Sequence, residues 1–463
     1  MTRWLYSWLM WLAQPLLRRK LARRSAQEPG YGQFVEERFG RYDQALPAHH
    51  GPTIWIHAVS LGETRAAAVL VAALRQQLPQ MRLLLTHGTA TGRAEGLKLL
   101  GKGDLQAWQP WDTPAVVRRF LAHFKPDLGI LMETEVWPNL VAVCEYLGVP
   151  LVLVNARLSD KSLRKTQCLA WLARPAYAAL AAVWAQTPQD AQRLQSLGAK
   201  VNGVFGNLKF DAAPNAGQLA QGRAWRAQLA RPVVMFASSR EGEELALLEI
   251  LSPTRPNRPK GGPPAKASDP VGAVPSPRGF DGLAPANPEP VQWLIVPRHP
   301  QRFDAVAALI ESHGFTVQRR SGWGHGGPVA LGSAPDTIWL GDSLGEMALY
   351  YGLADAALLG GSFEPLGGQN LIEAAACGCP VVMGPHTFNF AEAAEQSLAA
   401  GAAQRVQELT QGVFAACGIA LNQALYQTMV QASADFSGQN RGAVERTVQA
   451  VLQLLDQQGV DSV

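Results

Sequence analysis

The chain has 463 residues, 47% of them hydrophobic and 17% charged, with a formal net charge of +4. That length exceeds what one hydrophobic core organises, so two domains are expected. The charge balance is mild and no long basic run follows the first 25 residues, which argues against a nucleic-acid partner and fits an anionic membrane surface or an anionic small substrate.

The cysteines are Cys144, Cys168, Cys377, Cys379 and Cys417, odd in number and scattered, so no disulfide framework is expected. Cys377-Gly378-Cys379 has no second pair at zinc-site spacing. Buried, reduced thiols and no metal follow from that pattern.

Trp4 to Leu17 is an apolar run closed by Arg18, Arg19, Lys20, Arg23 and Arg24. It falls short of the roughly 20 apolar residues a spanning helix needs, and Ser7, Gln14 and Pro15 interrupt it. Its charges follow the apolar stretch, the reverse of a cleaved signal peptide. Trp4, Trp8 and Trp11 recur at helical spacing, so residues 1–25 are expected to form a short, non-spanning membrane-anchor helix on the cytoplasmic face. A helix packed on a protein domain and a single span are the alternatives.

From Pro52 onward short apolar runs alternate with helical stretches. Thr53–Val59, Arg82–Gly88, Leu128–Thr134, Pro150–Ala156 and Ala182–Pro188 each end in small or polar residues before a helix. Pro232–Ser238, Gln292–Arg298, Thr337–Ser343, Ala356–Ser362 and Pro380–His386 repeat the theme. This is the signature of β-α units in parallel, doubly wound sheets. The expected fold is α/β, two Rossmann-like domains facing across a cleft, over residues 26–205 and 206–440, with a C-terminal helix and tail at 441–463. The hinge is expected near Val204 to Lys209. Ser252 to Pro290, dense in Pro, Gly, Ala and Ser, reads as a disordered insertion.

Ligands of such sheets gather beyond the carboxyl ends of the strands, so the polar residues closing each run are the candidates for chemistry. Glu63 follows the first strand at the mouth of a helix, where a carboxylate can serve as general base or as a helix cap. Glu133 and Glu135 close a buried strand, a costly place for charge unless it is paired or used. Arg157, after the next strand, is the obvious partner. Gly206 to Asp211, Ser238 to Glu244, Val296 to Pro300, Gly341 to Glu346, and Gly367 to Ala376 continue the series. Glu373 lies about one turn into its helix, placed to hold a pair of ribose hydroxyls.

Together these strings resemble the Kdo transferases, which attach 3-deoxy-D-manno-octulosonic acid (Kdo) to lipid A precursors. The resemblance runs over Tyr31–Gly40, His57–Thr64, Met132–Asn139, Asn155–Ser159, Gly206–Asp211, Val296–Phe303 and Gly367–Phe390. It implies the GT-B fold, CMP-Kdo as donor, a lipid A precursor as acceptor, an inverting reaction and an inner-membrane location facing the cytoplasm. It implies no cofactor. Carried over by position, Glu63 matches the general base, and Glu133 and Lys209 match residues that stabilise the transition state. Pro297, Arg298, Leu344, Gly345, Glu346, Asn370, Leu371, Ile372 and Glu373 match the CMP contacts. The chain departs from the family at Ser238-Ser239-Arg240, where Ser-Thr-His is usual, at Phe363 to Leu366, and in the proline-rich insertion. A UDP-sugar transferase of the same fold and a non-catalytic nucleotide-binding membrane protein are the rival readings.

Overall fold

A parallel strand buried on both faces must be apolar throughout, and Thr53–His57 (β1) is buried at every position. In the computed structural model, which describes residues 2–43, 45–252, 291–328 and 336–459, it is an interior strand of a seven-stranded sheet. Its companions are β2 (Arg82–His87), β3 (Leu105–Trp108), β4 (Leu128–Met132), β5 (Leu151–Ala156), β6 (Ala182–Ala185) and β7 (Val201–Val204). The order is β3-β2-β1-β4-β5-β6-β7, every pair parallel. Trp55 is paired with Leu84 on one side and Gly129 on the other. A Cβ on Gly129 would stand 2.8 Å from the Trp55 ring, so the glycine makes room for the indole. Apolar clusters cover both faces of this sheet.

A second parallel sheet of seven strands comprises β8 (Val233–Ser239), β9 (Gln292–Pro297), β10 (Thr316–Arg319), β11 (Thr337–Leu340), β12 (Ala356–Leu359), β13 (Val381–Met383) and β14 (Ala403–Arg405). Its order is β10-β11-β9-β8-β12-β13-β14. The chain divides into two compact units, Met1–Ala212 with Asn440–Val463, and Ala213–Gln439. The expected boundary after residue 205 therefore moves to 212, and the last helix, Ala443–Asp456, returns to the first unit. The reason is local. The Asp211 carboxylate accepts the backbone N–H groups of Gly442 (2.6 Å) and Val444 (2.7 Å), and Arg446 donates to the Phe205 carbonyl at 2.6 Å. The insertion expected at Ser252 to Pro290 lies, from residue 253 onward, outside the described residues.

The expected N-terminal membrane-anchor helix is corrected. Among the described residues no single helix is long and apolar enough to cross a membrane. The pair that passes on length and composition lies at the other end of the chain, Leu409–Leu421 with Gln423–Asp456, bent by 99°. Even there the apolar side chains serve the interior, Val413, Ala416 and Ile419 in the core of the second unit and Val448, Val451 and Leu455 in that of the first. Helix Thr2–Leu12 is tied to the first unit. Tyr6 donates its hydroxyl to Asp112 (2.8 Å), Ser7 donates to Asn139 (2.9 Å), and the Trp111 indole N–H donates to the Met10 carbonyl (2.8 Å). Burial raises the Asp112 carboxyl to about 6 despite the bonds it accepts. Ser7, an interruption when read as membrane helix, is a docking contact. The rings of Trp4, Trp8 and Trp11 follow one another along the helix and remain exposed.

Four of the five cysteines are buried thiols, and Cys168 differs in being exposed.

Candidate active site

In the first unit the loop after β1 and Glu63 make a variant of the capping box, in which the carboxylate takes the backbone N–H of the residue before the N-cap. Ser60 is the N-cap of helix Leu61–Gln77: its oxygen accepts the Glu63 backbone N–H, and its hydroxyl donates back to Glu63 Oε1 at 2.9 Å. Glu63 Oε2 accepts the Val59 backbone N–H at 2.9 Å. The helix-cap role weighed for this residue is thus present in the geometry. The carboxyl is raised to about 7, chiefly by burial; the Val59 N–H opposes this, Glu133 adds to it, Ser60 opposes and Glu135 adds. A carboxylate poised near neutrality is suited to take a proton from a hydroxyl.

Glu133 follows β4 in the left-handed region, with φ at 59°, and is 5% exposed. Its Oε2 meets Arg157 Nε at 2.7 Å and its Oε1 meets Lys209 Nζ at 3.3 Å, so the partner expected in Arg157 is in place. Lys209 reaches the site from a 3₁₀ turn, Leu208–Asp211. The turn is set by Asn207, whose side chain accepts the Lys209 N–H at 3.0 Å, and by Asn155, whose Oδ1 accepts the Leu208 N–H at 3.1 Å. Asn155, with φ at 54°, went unassigned in the sequence, yet Asn closing a strand is the residue type that tolerates that conformation. Glu135 accepts the Trp137 indole N–H at 2.9 Å, and burial raises its carboxyl. Glu63, Glu133, Glu135, Arg157 and Lys209 therefore form one electrostatic group in the first unit.

In the second unit Pro297 is the last residue of β9, and the Arg298 N–H donates to the Ser239 carbonyl at 3.0 Å. Leu344 is 72% exposed, and Gly345 has a positive φ of 77° that a side chain would resist. Glu346 is held by Arg320 at 2.8 Å and by the Ser343 hydroxyl, so its carboxylate shapes the turn. Leu371 and Ile372 point into the core, which leaves their backbone groups for any ligand. The side-chain oxygen of Asn370 is buried and has no partner among the described residues, as an atom awaiting a ligand would be. Among the described residues no cluster of three or more His, Cys, Asp or Glu could hold a metal ion.

Residues 33–212 match the family model described as 3-Deoxy-D-manno-octulosonic-acid transferase (kdotransferase). The chain is 44% identical over 445 residues to the 3-deoxy-D-manno-octulosonic acid transferase of Bordetella pertussis, covering 94% of this chain and 96% of that one. The chain belongs to the Kdo transferase family. A relative of the same description from Haemophilus influenzae is 32% identical over 398 residues, covering 85% of this chain and 84% of the relative. Among solved structures, UDP-GlcNAc 2-epimerase from Neisseria meningitidis is similar with a TM-score of 0.53 at 15% identity, over 87% of this chain and 100% of that one, a likeness of fold alone. The first-unit cluster lies within the segment that the family model matches, since Glu63, Glu133, Arg157 and Lys209 all fall inside residues 33–212.

Proposed function

We propose that this chain transfers Kdo from CMP-Kdo to a lipid A precursor, with inversion, in lipopolysaccharide biosynthesis. The observation that carries the reading is family membership over nearly the whole chain, joined to a carboxylate held near neutrality beside a buried, doubly paired glutamate. The acceptor hydroxyl attacks the anomeric carbon of the donor while the bond to the phosphate oxygen breaks, and CMP departs with that oxygen. Glu63 takes the hydroxyl proton as the new bond forms. The transition state has oxocarbenium character. Glu133 and Lys209 act on its charge, and Arg157 holds Glu133 in place. Pro297, Arg298, Leu344, Gly345, Glu346 and the segment Asn370 to Glu373 bind the CMP portion, with Leu371 and Ile372 contributing backbone groups only. The lipid acceptor sets the place of work, the cytoplasmic face of the inner membrane, whose surface is anionic.

The test is transfer of labelled Kdo from CMP-Kdo to a lipid A precursor by the purified chain, with a UDP-sugar run in parallel. A labelled lipid product from CMP-Kdo alone is expected. No product from CMP-Kdo, or product from the UDP-sugar, overturns the reading.

A further inference from the structure

Strand β8 holds its penultimate residue, Ser238, in the left-handed region, φ 54°, ends at Ser239, and shifts its register with β9 between Ala237 and Ser239. Arg240 comes next. Its stem lies by the Gly360-Gly361 turn after β12: a Cβ at Gly361 would stand 3.6 Å from Arg240 Cγ and 3.2 Å from the Gln369 amide nitrogen. Two strand-end segments of the second unit, those after β8 and β12, thus meet at this side chain.

Two buried carboxylates open the helix that follows, Glu243–Leu251, and neither pairs with the Arg240 guanidinium. Glu243 is taken up by backbone amides, accepting the Gly361 N–H at 2.8 and 2.9 Å and the Arg240 N–H at 2.8 Å. Glu244 is taken up by the Ser239 hydroxyl at 2.8 Å and by two Arg302 nitrogens at 2.8 and 3.0 Å. Among the described residues the Arg240 guanidinium has no hydrogen bond and no ion pair. It is nonetheless half-buried. The neighbouring His299 imidazole is pushed below its usual value by burial first, then by Arg240, Arg298 and Arg302 in turn. Positive charge is gathered here, and a guanidinium without a protein partner among the described residues is available to an anion.

We propose that Arg240 is a donor-binding residue, a second guanidinium that joins Arg298 in holding the acidic oxygens of the nucleotide-activated sugar acid. The inference rests on the Kdo-donor reading above. A 2-keto sugar acid activated at its anomeric carbon carries a carboxylate and a phosphate ester on that same carbon. Two anionic groups so close call for two cations, and a planar guanidinium fork suits either. Arginine in place of the family's usual histidine keeps this charge at every working pH.

Equilibrium titration of the full chain with CMP and with CMP-Kdo, for wild type, Arg240→Gln and Arg240→Lys, tests the proposal. Glutamine keeps the stem and removes the charge. Its dissociation constant for CMP-Kdo should rise about tenfold or more, with lysine between the two. Weakened CMP binding as well identifies the phosphate as partner; loss confined to CMP-Kdo identifies the carboxylate. Unchanged affinity for both ligands overturns the proposal, and a lower melting temperature with unchanged affinity overturns it in favour of a structural role. A wild-type chain that binds neither ligand refutes the donor reading itself, and the inference falls with it.

Discussion

The hydroxyl of Ser60 donates to Glu63 Oε1 at 2.9 Å, so the carboxylate proposed as the base is also half of a helix cap. The two duties share one geometry: the cap aims the carboxylate, and its hydrogen bonds restrain how far burial raises its proton affinity. Ser60→Ala removes both the hydroxyl and the cap. Loss of an N-cap commonly costs about 1 kcal/mol of stability. Turnover should also respond, because without the Ser60 bond the Glu63 carboxyl moves further above its ordinary value. The acidic limb of the rate profile should shift to higher pH in the variant. A variant with lowered stability and an unmoved limb would show that the cap does not tune the base.

Glu63 itself predicts the shape of that profile. A base must be ionised to accept a proton, and this carboxyl ionises near 7 rather than near 4.5. kcat/KM should therefore fall as pH drops through about 7, a region where an ordinary glutamate would stay fully ionised. Glu63→Gln should retain donor binding and lose most turnover at every pH. Near-normal turnover in that variant removes Glu63 from the mechanism.

Glu133 is buried between two cations, and their removal should have different consequences. Arg157 is half-exposed and touches Glu133 at 2.7 Å, whereas Lys209 is the more buried partner. Lys209→Met should lower kcat by roughly 10²–10³-fold with little change in KM, the signature of a group acting on the transition state. Arg157→Ala should act through Glu133, lowering kcat less and costing stability, since it strips a buried carboxylate of one partner. A rise in KM alone for Lys209→Met would make the lysine a binding residue.

A packing prediction concerns the second unit, where helices Ala216–Arg226 and Met347–Leu353 approach backbone to backbone. A Cβ on Gly222 would lie 2.1 Å from the Leu349 carbonyl oxygen, and one on Gly352 would lie 2.6 Å from the Leu219 carbonyl oxygen. Neither obstacle is a side chain that can swing away. Gly222→Ala should force the helices apart and cost about 1–3 kcal/mol, measurable as a lower urea midpoint. An unchanged midpoint would mean the crossing tolerates a methyl group.

The parallel strands were legible because burial on both faces demands apolar runs, and β1, β4 and β5 are such runs closed by polar residues. Arg157 was legible as a partner for Glu133 because two strand-end segments of neighbouring β-α units must lie side by side. The docking of the first helix was not. Tyr6 and Ser7 meet Asp112 and Asn139 across more than a hundred residues of sequence, and the same tryptophan spacing suits a helix on a membrane or on a protein. Nor was the return of the C-terminal helix to the first unit, which depends on the Asp211 carboxylate finding the Gly442 and Val444 amides. Asn155 escaped notice because its work is done by backbone conformation, and a strand-end asparagine has many ordinary uses.

Beneath the Glu63 loop lie two imidazoles that the proposed reaction does not use. His57 and His87 are both fully buried, each with one ring nitrogen bonded, to Thr86 and to the Ala58 carbonyl, and the other without a partner among the described residues. Burial lowers His57 to about 3 and His87 to about 4, against an ordinary value of 6.5. As pH falls below 6.5 the unfolded chain binds two protons that the native state refuses. These two imidazoles therefore take stability from the native state as pH falls, by at most about 1.4 kcal/mol per pH unit each. Glu63 works in the opposite sense between 4.5 and about 7, since its native carboxyl binds a proton more readily than the unfolded one. His57→Gln cancels one of the destabilising terms and leaves Glu63 untouched. Going from pH 7 to pH 5, the urea midpoint should therefore fall less, or rise more, in this variant than in wild type, whatever its starting stability. An equal change in both chains would mean that His57 protonates in the folded state as readily as in the unfolded one.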